Sequence, residues 1–192
     1  MDSQTILTVI EELNVLKNIR RAGWVIRGIK DCESVAEHVW RMSTLAMMLA
    51  DVLLEQGVDV DADRVIRMAL VHELGEARIG DIPYPAMRHI SSEIKYAAER
   101  DAVQAVLEGM GAVGERYFAL WEEFEDGQTL EAKIVKAADK LEMMIQAAAY
   151  EQIGYRSLDD FWINPENARD FDVHELVQGI IEFLVERRNH HT

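Results

Sequence analysis

The chain has 192 residues, of which 49% are hydrophobic, and its 35 acidic and 20 basic side chains give a formal charge of −15. This length and apolar share predict one packed domain over residues 1–192 and exclude a wholly disordered chain. The negative charge repels a phosphate backbone, so the composition argues against a nucleic acid polymer as a partner.

Cysteine content and hydropathy indicate the compartment. Cys32 is the only cysteine, so no intrachain disulfide can form, which favours a cytoplasmic location. The longest apolar run, 45–54, is interrupted by Asp51 and is too short to span a bilayer. We therefore expect no membrane partner.

Apolar residues recur at spacings of three and four along most of the chain, and no segment alternates as a strand does. The pattern predicts an all-α fold, a single helical bundle.

Ser34 to Glu37 has the form of a capping box. Two prolines and a glycine make 80–85 a loop, and 154–171 is expected to be irregular. The predicted helices cover 3–21, 34–56, a stretch from Asp61 or Asp63 to about Gly75, 91–109, 112–125, 129–152 and 172–188.

Four polar residues have mostly apolar neighbours one helical turn away: His38, the adjacent pair His72 and Glu73, and Asp139. A polar group is costly to bury without a partner, and a shared divalent ion would supply one. Imidazole nitrogen and carboxylate oxygen suit manganese, iron, cobalt, nickel or zinc, and magnesium is a further candidate. Alternatively, the histidines are ordinary core residues and Asp139 forms a surface salt bridge.

His72 and Glu73 pose a geometric problem, because adjacent residues on a helix point in different directions. Both can reach one ion only at the end of a helix, or if the ion lies beside the helix between the two directions. Gly75 is consistent with a helix end at this point.

The segment between Leu13 and Lys30 carries five basic side chains and no acid. It is either a solvated helix face and loop or a local anion pocket. Arg21 and Arg27 could grip a phosphate in a forked geometry. Trp24 could cover a base or a sugar, or could pack in the core.

Several motifs occur in a characteristic order along the chain. They are Ser34-Val35-Ala36-Glu37-His38, Leu70-Val71-His72-Glu73, Gly75-Glu76, Gly80-Asp81-Ile82 and Lys136-Ala137-Ala138-Asp139-Lys140-Leu141-Glu142. In this order the chain resembles the HD-domain phosphohydrolases, and most of all their 5′-deoxynucleotidase branch. One position departs from the pattern, since Glu73 stands where the family name records an aspartate.

The resemblance implies a helical fold with a divalent metal held by His38, His72, Glu73 and Asp139. It implies that Glu76 and Asp81 act in the reaction, by handling protons or by holding a second ion. It also implies that the nucleotide pocket includes Asp81, Ile82, Pro83 and Tyr84.

These observations favour a metal-dependent 5′-nucleotidase that releases phosphate from ribo- or deoxyribonucleoside 5′-monophosphates. One alternative is a regulatory nucleotide-binding protein in which Glu73 has disabled turnover. Others are an HD phosphodiesterase or pyrophosphohydrolase, and a protein in which these residues are purely structural. Broad apolar helix surfaces, such as that of 129–152, predict a homodimer.

Overall fold

A computed structural model describes residues 2–190, and within this range the chain forms helices joined by turns and no strand. Three 3₁₀ segments, Asn14–Lys17, Tyr84–Arg88 and Arg169–Val173, supplement the α-helices. The α-helices are α1 Ser3–Leu13, α2 Ala22–Val25, α3 Val35–Glu55, α4 Ala62–Val71, α5 Glu76–Ile79, α6 Ser92–Val106, α7 Gly111–Asp126, α8 Leu130–Gln152, α9 Asp159–Ile163, α10 Pro165–Ala168 and α11 Glu175–Asn189. The predicted all-α fold is confirmed.

Two predicted helix starts are confirmed by their hydrogen bonds. The Ser34 backbone N–H donates to Glu37 Oε2 at 2.7 Å, and the Glu37 N–H donates to Ser34 Oγ at 3.2 Å. This is the reciprocal capping box, and α3 begins directly after Ser34, three residues before His38. Asp61, rather than Asp63, caps α4, because its Oδ1 accepts from the Arg64 N–H at 2.9 Å.

Two predicted boundaries are wrong. The helix expected over 3–21 leaves α geometry after Leu13 and continues as a 3₁₀ turn to Lys17. After this turn, Arg20 pairs with Ser34 in an isolated antiparallel bridge, which requires extended rather than helical backbone at Arg20. The segment 154–171, expected to be irregular, contains α9 and α10, because Asn164 caps α10 and Pro165 occupies its first turn.

The described residues fall into two compact groups, of which the first joins the chain up to Trp40 with Leu70–Glu125. In this group α5 packs against α6 and against the Asn14–Lys17 turn. The second group joins Arg41–Ala69 with the chain from Asp126 onward. There α8 packs against the Arg169–Val173 turn, α11 and α9.

None of the helices within residues 2–190 combines the length and the apolar character needed to cross a bilayer.

Candidate active site

His38 and His72 lie against each other in the interior of the first group. His38 is 0% exposed and His72 is 5% exposed, and their ring centroids are 5.9 Å apart in an edge-on arrangement. The Phe124 ring contacts His72 from a centroid distance of 5.2 Å, also edge-on. These contacts restrict both imidazoles to one orientation, which a preorganised ligand pair requires.

The backbone around His72 and Glu73 solves the geometric problem that the sequence posed. Helix α4 ends at Val71, four residues earlier than predicted, and residues 72–75 form a turn before α5 begins at Glu76. Because both residues lie outside the helix, their side chains need not diverge. The Glu73 Oε1 atom lies 3.6 Å from His72 Nε2.

The two histidines and the neighbouring Glu73 have the chemistry of a metal site. Two imidazoles in contact, with a carboxylate oxygen close to one imidazole nitrogen, are donor types that suit a divalent ion of the zinc, iron or manganese type. Asp139, the fourth predicted ligand, lies on α8 in the second group, and its role as a ligand stays a prediction.

The surroundings of Glu76 also fit a cation. Its side chain is buried, and its Oε2 atom has no hydrogen-bond partner among the described residues. The pKa of Glu76 is raised to about 10, chiefly by burial and further by the nearby carboxylates of Glu73 and Asp81, with a smaller opposing effect from Arg21. A buried group of like charges is unfavourable without a positive partner, so a divalent ion fits the chemistry of this site.

Arg21 links two of the predicted site carboxylates. Its Nη1 atom donates to Glu73 Oε1 at 3.2 Å and lies 3.9 Å from Asp81 Oδ1. The other Asp81 oxygen, Oδ2, accepts from the Ala22 backbone N–H at 2.6 Å. Asp81 lies in a loop directly after Gly80, but its two contacts with Arg21 and Ala22 hold its carboxylate in place.

The remaining predicted substrate residues have varied surroundings. Trp24 is 2% exposed, and its Nε1 donates to Glu33 Oε1 at 2.9 Å, so the indole packs within its own group. Arg27 Nη1 donates to the Gly23 carbonyl oxygen at 2.6 Å. Tyr84 is 65% exposed at the start of a 3₁₀ turn, immediately after Ile82 and Pro83.

Gly75 allows the turn before Glu76 to approach α6 closely. A Cβ at Gly75 would lie 3.1 Å from Val103 Cγ2 and 3.2 Å from the Glu99 carbonyl oxygen, whereas its φ of −63° would suit any residue. The glycine is therefore required for space, and its loss would displace α5 and Glu76.

We expect Gly75→Ala to lower the free energy of unfolding by about 1–3 kcal/mol, the usual cost of overpacking. Gly179→Ala is the matched control, because nothing lies within 4 Å of a Cβ built at this position in α11. The control should raise stability by roughly 0.5–1 kcal/mol through helix propensity. Urea unfolding measures the change in the free energy of unfolding for both variants. Equal changes would show that Gly75 is not packed tightly against α6.

Sequence reasoning missed Arg41, Glu142 and Glu33. Glu142 is 1% exposed and accepts a hydrogen bond from Arg41 Nε at 2.7 Å. A signal was present, because Glu142 lies one helical turn after Asp139 in an apolar stretch of α8, where a charged residue needs a partner. Glu33 had no such signal.

Comparison with known proteins places the chain in a family. A sequence model described as the HD domain matches residues 13–177. The chain belongs to the HD domain family. Members of this family are metal-dependent phosphohydrolases, so the fold itself implies a divalent cation.

Curated relatives share sequence over most of the chain. 5′-Deoxynucleotidase HDDC2 of Dictyostelium discoideum is 41% identical over 140 residues, which cover 71% of this chain and 73% of that protein. 5′-Deoxynucleotidase HDDC2 of Homo sapiens is 34% identical over 188 residues, covering 96% of this chain and 87% of that protein.

A solved structure has the same fold. A conserved hypothetical protein from Pyrococcus furiosus superimposes with a TM-score of 0.82 at 36% sequence identity. The match covers 94% of this chain and 99% of that chain. The helical arrangement described above is therefore that of an experimentally determined relative.

Proposed function

We propose that this protein is a metal-dependent 5′-nucleotidase that releases inorganic phosphate from ribo- or deoxyribonucleoside 5′-monophosphates. The observation that carries the proposal is the buried pair of imidazoles, His38 and His72, with the Glu73 carboxylate 3.6 Å from His72 Nε2. The relatives named 5′-deoxynucleotidase support the substrate class. The acidic exterior suits a small soluble substrate better than a polymer.

The proposed metal ligands are His38, His72, Glu73 and Asp139. A divalent ion held there would polarise a phosphoryl oxygen and lower the pKa of a water that it coordinates. Manganese, cobalt, magnesium, iron, nickel and zinc are all candidates, and a second ion near Glu76 and Asp81 is part of the proposal.

Glu76 and Asp81 are the proposed catalytic residues. Glu76 follows His72 by four residues and is buried. A divalent ion beside it would oppose the rise of its pKa, and the ionised carboxylate could then orient the attacking water and accept its proton. Asp81 keeps its position through the Ala22 N–H and Arg21, and its carboxylate lies close enough to Glu76 to affect it electrostatically.

Arg21 and Arg27 are proposed to bind the substrate phosphate. Arg21 already lies beside Glu73 and Asp81, so a phosphate that approaches these carboxylates meets a guanidinium with bidentate geometry. The proposed nucleotide contacts also include Trp24, whose indole would act from a buried position, and the loop residues Asp81, Ile82, Pro83 and Tyr84.

The test measures inorganic phosphate, and substrate loss by chromatography, with protein that has been stripped with a chelator and then reloaded with single metals. The panel contains ribo- and deoxyribonucleoside 5′-monophosphates, a cyclic dinucleotide and a guanosine tetraphosphate-like alarmone. We expect phosphate from the monophosphates and no loss of the other substrates. Loss of the cyclic dinucleotide instead would favour a phosphodiesterase, and pyrophosphate from the alarmone would favour a pyrophosphohydrolase. No loss of any substrate with any metal would remove the enzyme proposal.

Glu73 decides between the enzyme and a regulatory nucleotide-binding protein. Aspartate would withdraw the carboxylate by about 1.5 Å, one C–C bond, and would break the 3.2 Å contact with Arg21. We therefore expect Glu73→Asp to lower kcat/KM by on the order of a hundredfold, as a misplacement of about 1 Å does. Steady-state kinetics on a deoxyribonucleoside monophosphate measures the change.

Glu115→Asp is the control for this substitution, because Glu115 is exposed on α7 and its loss of one methylene should leave kcat/KM unchanged. A large gain of activity in Glu73→Asp would mean that Glu73 impairs turnover in the natural protein and would favour the regulatory alternative.

The proposal includes one domain over residues 1–192, a cytoplasmic location and a homodimer. The family match over 13–177 supports a single domain. Exposed apolar side chains, including Trp40 at 70% and Phe183 at 62%, support self-association. A monomeric mass by light scattering would contradict the dimer.

A further inference from the structure

Lys95 lies near the beginning of α6, where helix stability does not favour a cation. The Oγ atom of the cap residue Ser91 accepts from the Ile94 N–H, and Lys95 is the fourth residue after Ser91. The positive end of the helix dipole disfavours a cation at this end. The ion pair of Lys95 with Glu99 also has the less favourable order, because a glutamate four residues before a lysine stabilises a helix more than the reverse. Helix stability therefore does not explain why a lysine occupies this position.

The first turns of α6 lie beside the segment that carries the site carboxylates. Helix α5 packs against α6 within the first group of residues. A Cβ built at Gly75, between Glu73 and Glu76, would lie 3.2 Å from the carbonyl oxygen of Glu99. Glu99 follows Lys95 by four residues, which is about one helical turn. Lys95 is therefore on the part of α6 that adjoins the candidate site.

The Lys95 ammonium interacts with the carboxylates around it. Its Nζ atom donates to Glu99 Oε1, and the side chains of Lys95 and Glu99 are 32% and 15% exposed. Burial alone would lower the pKa of Lys95, but three nearby carboxylates together raise it above its ordinary value. They belong to Glu99, which has the largest of these effects, and then to Glu125 and Glu73. The ammonium is thus charged at neutral pH and lies near a proposed metal ligand.

A phosphate dianion that enters this site needs positive charge. The carboxyl groups of Glu73, Glu76 and Asp81 lie close enough to affect one another. Arg21 already contacts Glu73 and Asp81. Lysine carries a compact charge on a flexible stem, so its ammonium can turn from a carboxylate to a phosphate while the helix stays in place. Lys95 can therefore supply a charge that the phosphate needs.

We propose that Lys95 is a further phosphate-binding residue of the site. Its ammonium contacts the substrate phosphate beside Arg21, and Glu99 holds the ammonium until the substrate binds. The inference rests on the proposed function, because it takes the substrate phosphate to bind at these carboxylates.

The competing interpretation is an ion pair that only stabilises α6, and it predicts effects of a different sign. If the pair is structural, loss of either partner breaks it and has the same consequence for the site. If Lys95 binds phosphate, loss of Lys95 weakens phosphate binding. Loss of Glu99 then strengthens binding, because the ammonium no longer has a competing partner.

The test measures the binding of inorganic phosphate, the product, to metal-loaded full-length protein by isothermal titration calorimetry. We expect Lys95→Gln to raise the dissociation constant about 10- to 100-fold, the effect of one lost charge-assisted hydrogen bond. Glu99→Gln should lower it. The double variant Lys95→Gln/Glu99→Gln keeps the net charge of the pair and should still bind more weakly than the wild type. The KM of a deoxyribonucleoside 5′-monophosphate should change in the same directions.

Arg100 and Glu122 form the matched control pair. Arg100 also lies on α6, and its Nε and Nη2 atoms donate to Glu122 Oε1 at 3.2 and 3.1 Å. Arg100→Gln and Glu122→Gln change the charge of the protein by the same amounts as Lys95→Gln and Glu99→Gln do. Both control variants should bind phosphate as the wild type does.

Four results would overturn the inference. Equal dissociation constants for the wild type and Lys95→Gln would show that the ammonium does not reach the phosphate. A rise in both Lys95→Gln and Glu99→Gln would make the pair structural, and an equal rise in Arg100→Gln would leave only a general effect of charge. In these three cases a wild type that releases phosphate from monophosphates keeps the proposed function. A wild type that neither binds nor releases phosphate would remove the proposed function and the inference together.

Discussion

His72→Ala is expected to abolish stable metal binding and to reduce phosphate release to background. His72 is buried against His38 and Phe124, and alanine offers no nitrogen donor in its place. Loss of a direct ligand should cost at least about a hundredfold in metal affinity, the upper end of the cost for groups that merely orient ligands. Elemental analysis of the purified variant measures the metal content.

Thermal unfolding gives a second readout of the same substitution. Saturating metal stabilises a protein that binds it only when folded, by about 2.7 kcal/mol at 100 times the dissociation constant. The wild type should therefore melt at a higher temperature with metal, whereas His72→Ala should show no such increase. His190→Ala, at an exposed position after α11, should behave as the wild type does. A metal-dependent rise in His72→Ala would show that the ion binds elsewhere.

Glu76→Gln is expected to lower kcat by about 10² to 10⁴, the usual contribution of a positioned general base, while the metal content is unchanged. The amide matches the carboxylate in shape but cannot accept the proton of the attacking water. Because Glu76 is buried next to the proposed ligands, bulk solvent cannot take over its role as the base. Single-turnover phosphate release measures the chemical step directly.

The control for this substitution is Glu115→Gln, which removes a carboxylate from an exposed position on α7 and should leave kcat unaltered. If Glu76→Gln instead lost its metal, Glu76 would be a ligand and not a base. If it kept both metal and full activity, the proton would have to pass to Asp81 or to solvent.

The beginnings of α3 and α4 were predicted from the sequence because each depends on neighbours within one turn. The capping box of Ser34 and Glu37 followed from residue type and spacing alone, and so did a cap of α4 by Asp61 or Asp63, of which Asp61 is the one observed. The ends were harder. No residue near Val71 predicted that α4 would end there. Because α4 ends at Val71, the side chains of His72 and Glu73 can lie side by side.

The roles of the basic residues also depended on partners distant in sequence. Arg21 and Arg27 look alike in the sequence, yet Arg21 contacts Glu73 and Asp81, whereas Arg27 donates to the backbone of its own turn. Similarly, Trp24 could be assigned to a ligand or to the core by its type, and its 2% exposure shows that it is buried.

The sequence by itself determined the all-α class, the starts of α3 and α4 and the family, because helical periodicity, caps and ordered motifs are carried by residues close together in the chain. Only the tertiary structure decided that His38 packs against His72, that Glu76 is buried among like charges and that Arg41 holds Glu142. These arrangements join residues up to a hundred positions apart, and their energies come from burial and charge pairing, which no local pattern encodes.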